Sequence, residues 1–197
     1  LGEDFKVTSW DVLKPQFEAL LERKIDSVVE LKKWFLDRSE LESVIAEDLA
    51  WRYIQMTCFT ENEDYRKHYQ DFIENIQPQI APVSDKLNKK AADSPFLDAL
   101  SKIQGYDIMI RSLRKEIEIF REENVPLYTE INIETQKYAQ LNGAMMVEME
   151  GKELTLQQAA VFLMSTDRTK REEAYQRITE RRLKDKDVLD ELFSKLI

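Results

Sequence analysis

The chain carries one histidine, His68, and one cysteine, Cys58. Imidazole titrates near neutrality and serves as acid, base or metal ligand, and a thiolate is a strong nucleophile. His68 stands in Arg66-Lys67-His68-Tyr69, at the margin of an apolar helical stripe. It has no Ser, Cys or carboxylate partner at a diagnostic spacing, so it reads as a helix-surface side chain. Cys58, between Thr57 and Phe59, reads as a small buried hydrophobe. With one of each, the chain by itself supplies no intrachain disulfide, no Cys/His zinc site and no two-histidine metal site. A single unpartnered thiol fits a reducing compartment.

Carboxylates are the opposite case, with 38 Asp and Glu in all. So many acids make no one pair diagnostic of acid/base work. Pairs such as Glu40 with Glu42, or Glu122 with Glu123, read as solvated helix faces. One stretch inverts the charge: Asp167 to Lys186 holds eight basic residues against five acidic ones inside a chain of net charge −9. This is either an anion or acidic-partner site or an exposed salt-bridged helix. The i,i+4 spacing of Glu173 with Arg177, and of Glu180 with Lys184, favours the helix.

The framework that carries these groups is helical. Gly (4) and Pro (5) are scarce in 197 residues, 43% of them hydrophobic and 34% charged, which leaves few turns and room for a sizeable core. The negative field disfavours nucleic acid as a partner. Charge interrupts every apolar cluster well short of the roughly 20 residues that span a bilayer, so no membrane is expected, and no signal peptide is visible.

Trp10, Leu13, Phe17, Leu20 and Leu21 place a first helix from Ser9 or Pro15. Ser27 with Glu30, and Ser39 with Glu42, read as capping boxes, so 27–59 is two helices or one long helix broken near Asp37 to Ser39. Tyr65, Tyr69, Phe72, Ile76, Ile80, Val83 and Leu87 form a stripe containing Pro78 and Pro82. A kink or helix junction is expected near Gln77 to Pro82, with an end at Asp93-Ser94-Pro95. Further helices are expected at 95–105, from Tyr106 to about Asn124, and from Pro126 to Leu141. A small β-hairpin follows near 144–155, turning at Glu150-Gly151. Helix resumes at Leu156 and restarts after Asp167 and again after Asp187. The fold class is mainly α, a multi-helix array with kinked long helices and that one hairpin, with a subdivision into 1–94 and 95–197.

The chain begins with Leu1, and its last helix carries Val188, Leu189, Leu192, Phe193, Leu196 and Ile197 with no stop signal. Such an end reads as the interior of a longer polypeptide. Leu189, Leu192, Phe193 and Leu196 are the candidate face on which a continuation would dock.

Several segments, taken in order, resemble the N-terminal half of oligoendopeptidase F, a zinc metallopeptidase related to thimet oligopeptidase. They are SVVELKKWFLDRSEL (27–41), YIQMTCFT (53–60), DKLNKK (85–90), FREENVPL (120–127), GKELTLQQA (151–159), DRTKREEA (167–174) and the closing LDELFSKLI. The resemblance spans nearly the whole chain. It implies a soluble, cytoplasmic, mainly helical enzyme that cleaves short oligopeptides in a deep channel, with this part forming one channel wall. The family's zinc is held by an H-E-x-x-H helix and a downstream glutamate in the C-terminal half, where two histidines one turn apart hold the metal and the Glu polarises its water. His68, followed by Tyr69, has no second histidine, so no catalytic or metal residue is assigned here. Zinc is expected in the full-length family enzyme and none in this chain, which is expected to be inactive alone and to have the C-terminal catalytic region as its partner. A free-standing helical peptide- or protein-binding module is the alternative. A coiled-coil scaffold is less favoured, because the apolar patterns are short and lack sustained heptads.

Overall fold

The computed structural model describes Gly2, 5–59 and 61–196, the last of these by its backbone only. The chain is mainly α-helical with one small antiparallel hairpin. It divides into two compact units, 1–129 and 130–197. The boundary lies within a helix and not at Asp93-Ser94-Pro95.

In the first unit, α1 (Trp10–Glu22) starts at Ser9 and buries Leu13, Phe17 and Leu20. Pro15 lies in the second turn, deeper than a first-turn proline: burial of that stripe outweighs the one backbone bond it forfeits. Ser27 Oγ accepts from the Glu30 amide and opens α2 (Val28–Cys58), a single 31-residue helix. The expected break at Asp37 to Ser39 is absent. Trp34, Phe35, Leu41 and Ile45 stay in phase through it, all buried, and Ser39 is an interior residue whose carbonyl accepts from Ser43 Oγ at 2.7 Å.

Asn62 caps α3 (Glu63–Asp71), and the helix then widens into a π turn over Phe72–Ile76 before continuing as α4 (Gln77–Ala92). Pro78 explains the position of the widening. It has no N–H for the Glu74 carbonyl and its ring would crowd that group in an α-helix. The π turn relieves both, and the Gln77 amide bonds to Phe72 O, five residues back. The junction foreseen at Gln77 to Pro82 is this turn, displaced towards the N-terminus.

A short α5 (Leu97–Leu100) leads through Gly105, at φ +90°, into α6 (Tyr106–Ile119), and α7 (Asn124–Gly143) follows. The α6 helix stops earlier than expected because Phe120 turns extended. Trp34, Phe17, Phe72, Leu13, Leu31, Ile76, Leu87 and Leu100 are the most enclosed side chains of this unit's core.

The second unit contains strands β1 (Met146–Met149) and β2 (Lys152–Thr155), paired Met146 to Thr155 through Met149 to Lys152. Glu150 (φ 52°) and Gly151 (φ 73°) make the turn, both left-handed as a two-residue hairpin of this twist requires. Thr155 and Gln158 form a reciprocal capping box for α8 (Leu156–Ala160), and a 3₁₀ turn over Val161–Met164 follows. Asp167 caps α9 (Arg168–Lys184) through the Thr169 amide, and α10 (Lys186–Leu196) closes the chain. Met145, Val147, Met149, Leu156, Ala159, Ala174 and Ile178 form this unit's core. Among the described residues no helix is long and apolar enough to cross a membrane.

Candidate functional site

The apolar face expected on the last helix is divided. Leu192 is 6% exposed and Leu189 packs against the second unit's core, whereas Phe193 is 64% exposed. The Leu196 side chain lies outside the described residues. Leu189 is therefore taken up by the second unit's core and Leu192 is buried, and Phe193 with the half-exposed Val188 is what α10 leaves exposed. At the start of α10 the Leu189 N–H bonds back to Asp185 O, and near its end Lys195 Nζ lies 3.6 Å from Glu134 Oε2 on α7.

Glu134 anchors a small charge cluster. Lys137 Nζ donates to its Oε1 at 2.5 Å, and Lys195 is also 3.3 Å from Glu191. The Lys137 hydrogen bond, opposed by burial and joined by the Lys137 and Lys195 charges, holds the Glu134 carboxyl below its ordinary range. The Lys195 ammonium is held above the usual lysine range, chiefly by its hydrogen bond to Glu191 and next by the charge of Glu134. Neither sequence pattern nor spacing pairs residues 134 and 195. Only the fold of the second unit brings them together.

The other candidates fall on surfaces. His68 is an exposed residue of α3, and its carbonyl accepts from Arg52 Nη1 at 2.8 Å. Cys58 is exposed, contrary to its expected burial, because the buried positions of α2 end at Ile45 and its last turns run beyond the core. The basic helix α9 is salt-bridged: Arg177 Nε meets Glu173 at 2.9 Å, Arg181 meets Asp185 at 2.5 Å, and Lys170 meets Glu150 on the hairpin turn at 2.5 Å. Hydrogen bonding to Glu150, followed by that carboxylate's charge, raises the Lys170 ammonium above its usual range.

Zinc does not fit the residues present. The chain has one histidine, and the described residues contain no group of three or more His, Cys, Asp or Glu placed to hold a metal ion.

Solved structures share this fold closely. A protein assigned as oligoendopeptidase F superposes with a TM-score of 0.89 at 21% identity, covering 98% of this chain and 34% of its own. PZ peptidase A, solved with an inhibitor, gives the same values. An oligoendopeptidase F assignment from Bacillus anthracis str. Ames gives 0.89 at 21%, covering 98% of this chain and 36% of its own. The chain thus spans about a third of the length of those proteins, and at this identity the likeness establishes the fold. A comparison with curated protein sequences finds no match. The sequence model of one family, described as the Peptidase M3 N-terminal domain, matches residues 3–120, nearly the whole of the first unit, and the chain belongs to that family.

Proposed function

We propose that this chain forms the N-terminal helical part of an oligoendopeptidase F-like zinc metallopeptidase that hydrolyses short peptides. In this reading it builds one wall of the substrate channel, in the cytoplasm, and docks on a zinc-bearing C-terminal catalytic region. The family match over residues 3–120 carries the reading, and the fold shared with the peptidases over 98% of the chain supports it. Zinc supplies the Lewis acid that activates water in such enzymes, and its ligands come from the other region, because His68 is the one histidine here. What this chain contributes is a helical wall surface that orients a peptide and excludes water from it. Phe193 and Val188 are the outward part of the docking face.

The test is direct. The purified chain with zinc and a fluorogenic oligopeptide gives no turnover, and adding a catalytic region that carries H-E-x-x-H restores it. Zinc-dependent cleavage by the chain alone overturns the reading.

A further inference from the structure

Beyond Ile45, its last buried position, α2 continues for more than three turns to Cys58. Trp51, Ile54 and Cys58 on this stretch, spaced i, i+3 and i+7, share one helix face. Trp51 is 56% exposed, Ile54 43%, and Phe59, which follows the stripe, 58%; Cys58 is exposed as well. The other faces of these turns are occupied. Arg52 serves Asp48 and the carbonyls of His68 and Val7, and the Tyr53 ring packs on Tyr69 of α3 at 5.8 Å. Phe59 is steadied by Tyr65, 5.6 Å between ring centres. With Cys58 it lines an open recess whose other walls are Glu61, Asn62 and Glu63. Apolar side chains scattered singly on a surface are ordinary, but a stripe of them headed by a tryptophan has the composition of an interface.

Charge decides what covers it. From Glu47 to Asp64 the chain has five acidic residues and one basic residue, Arg52, which is already bound. Glu63 meets Arg66 at 3.0 Å, whereas Glu47, Glu61 and Asp64 are exposed and meet no cation among the described residues. Glu47 stands one turn before Trp51 on the same face, and Glu61 shares the recess with Cys58, so free carboxylates bracket the stripe at both ends. A second copy brings the same carboxylates and a net charge of −9, and an anionic lipid surface is repelled in the same way. We infer that the end of α2 docks a basic amphipathic helix of another protein. Its apolar side chains lie along Trp51, Ile54 and Cys58, and its lysines or arginines meet Glu47 at one end and Glu61 at the other. Glu47 to Cys58 is about 16 Å of helix, which three turns of such a partner match. The inference goes beyond the peptidase reading, and its test involves neither zinc nor turnover.

The probe is the acetylated, amidated peptide LKKLLKLLKKLLKL, an amphipathic helix with a basic face. Its controls are LEELLELLEELLEL, with the charge reversed, and SKKSSKSSKKSSKS, with the apolar face removed. Each is titrated into the isotope-labelled chain and followed by calorimetry and backbone amide shifts. The probe binds at least about tenfold tighter than either control, and the shifted amides cluster at 47–64. Trp51→Ala, a change at an exposed side chain, lowers probe affinity about tenfold and leaves the far-UV spectrum unchanged. Glu47→Lys combined with Glu61→Lys lowers it by a similar factor and strengthens binding of the acidic control, which keeps the test decisive should Trp51→Ala unfold. Equal affinity for the probe and either control, shifts elsewhere on the chain, or unaffected variants overturn the inference. So does another occupant of the patch: self-association of the chain that Trp51→Ala abolishes, or the same amide shifts produced by phosphatidylglycerol vesicles.

Discussion

Lys90 Nζ lies 2.6 Å from the carbonyl oxygen of Leu21, with the carbonyls of Leu20 and Arg23 at 3.0 and 2.5 Å. The last carbonyls of a helix have no partners within it and carry the negative end of its dipole. A lysine from α4, distant in sequence, closes the end of α1, and Trp34 Nε1 joins it at Leu20 O, 2.9 Å away. Three helices of the first unit meet at these acceptors.

Lys90→Met therefore strips a cationic donor from three carbonyls while keeping the aliphatic stem. The expected loss is about 2 kcal/mol of unfolding free energy, the scale of a hydrogen bond to a charged group. It is read from urea midpoints by tryptophan fluorescence, which reports the first unit because Trp10, Trp34 and Trp51 all lie in it. Burial, and then the neighbouring Arg23 charge, draw the Lys90 ammonium below its ordinary value of 10.5. The unfolded chain then holds more protons in the alkaline window, so this contribution grows as pH rises towards 10.5. The gap between the native chain and the variant widens over the same range.

Arg52 plays a comparable part elsewhere in the unit. Its fork reaches Asp48 Oδ2 at 2.5 Å, His68 O at 2.8 Å and Val7 O at 2.7 Å, and it stacks at 5.6 Å on Phe72. Arg52→Lys keeps the charge and loses the planar geometry that serves three acceptors at once. Faster amide exchange at 5–9 and 63–69 is expected, with a stability loss of about 1–3 kcal/mol. Unchanged exchange at both segments contradicts this account.

These long-range contacts mark where sequence reading stopped. Local chemistry was legible: Ser27 and Asp167 announce their helices through side-chain caps, Asp93-Ser94-Pro95 ends α4, and Glu150-Gly151 places the hairpin turn. Each signal acts within four residues. Lys90 with Leu21, Arg52 with Val7 and Glu134 with Lys195 are paired by topology alone, and no periodicity encodes them. The division between buried Leu192 and exposed Phe193 was not legible for the same reason: both belong to the apolar pattern of α10, and only the tertiary packing of that helix tells them apart. Pro78 was legible as a disturbance, but its resolution by a π turn depends on keeping Phe72 and Ile76 buried on one face.

Glu134 makes a pH-dependent link in the second unit. Its folded carboxyl titrates below the ordinary value of 4.5, so it favours the folded state above that value, and the advantage is lost as pH falls through the lower folded value. Glu134→Gln removes it. Urea midpoints read by circular dichroism separate native chain and variant most at neutral pH, and the two converge in acid below 4.5. A constant separation at every pH shows that Glu134 acts through packing and not through charge.

The hairpin turn offers the cleanest conformational test. A Cβ at Gly151 meets nothing within 4 Å, yet the residue sits at φ +73°, so Gly151→Ala costs only the left-handed backbone, about 1 kcal/mol. Its neighbour Glu150 already bears that strain at φ 52° without being glycine. Glu150→Asn, a residue that tolerates this region, relieves the strain and also forfeits the exposed ion pair with Lys170. Exposed pairs contribute little, at most about 1 kcal/mol and often less. The backbone gain therefore offsets the loss, and the variant is at least as stable as the native chain. Thermal unfolding of the two variants orders them, with Gly151→Ala below native and Glu150→Asn at or above it. The reverse order for Glu150→Asn assigns the Lys170 pair, and not the turn geometry, as what holds the hairpin to α9.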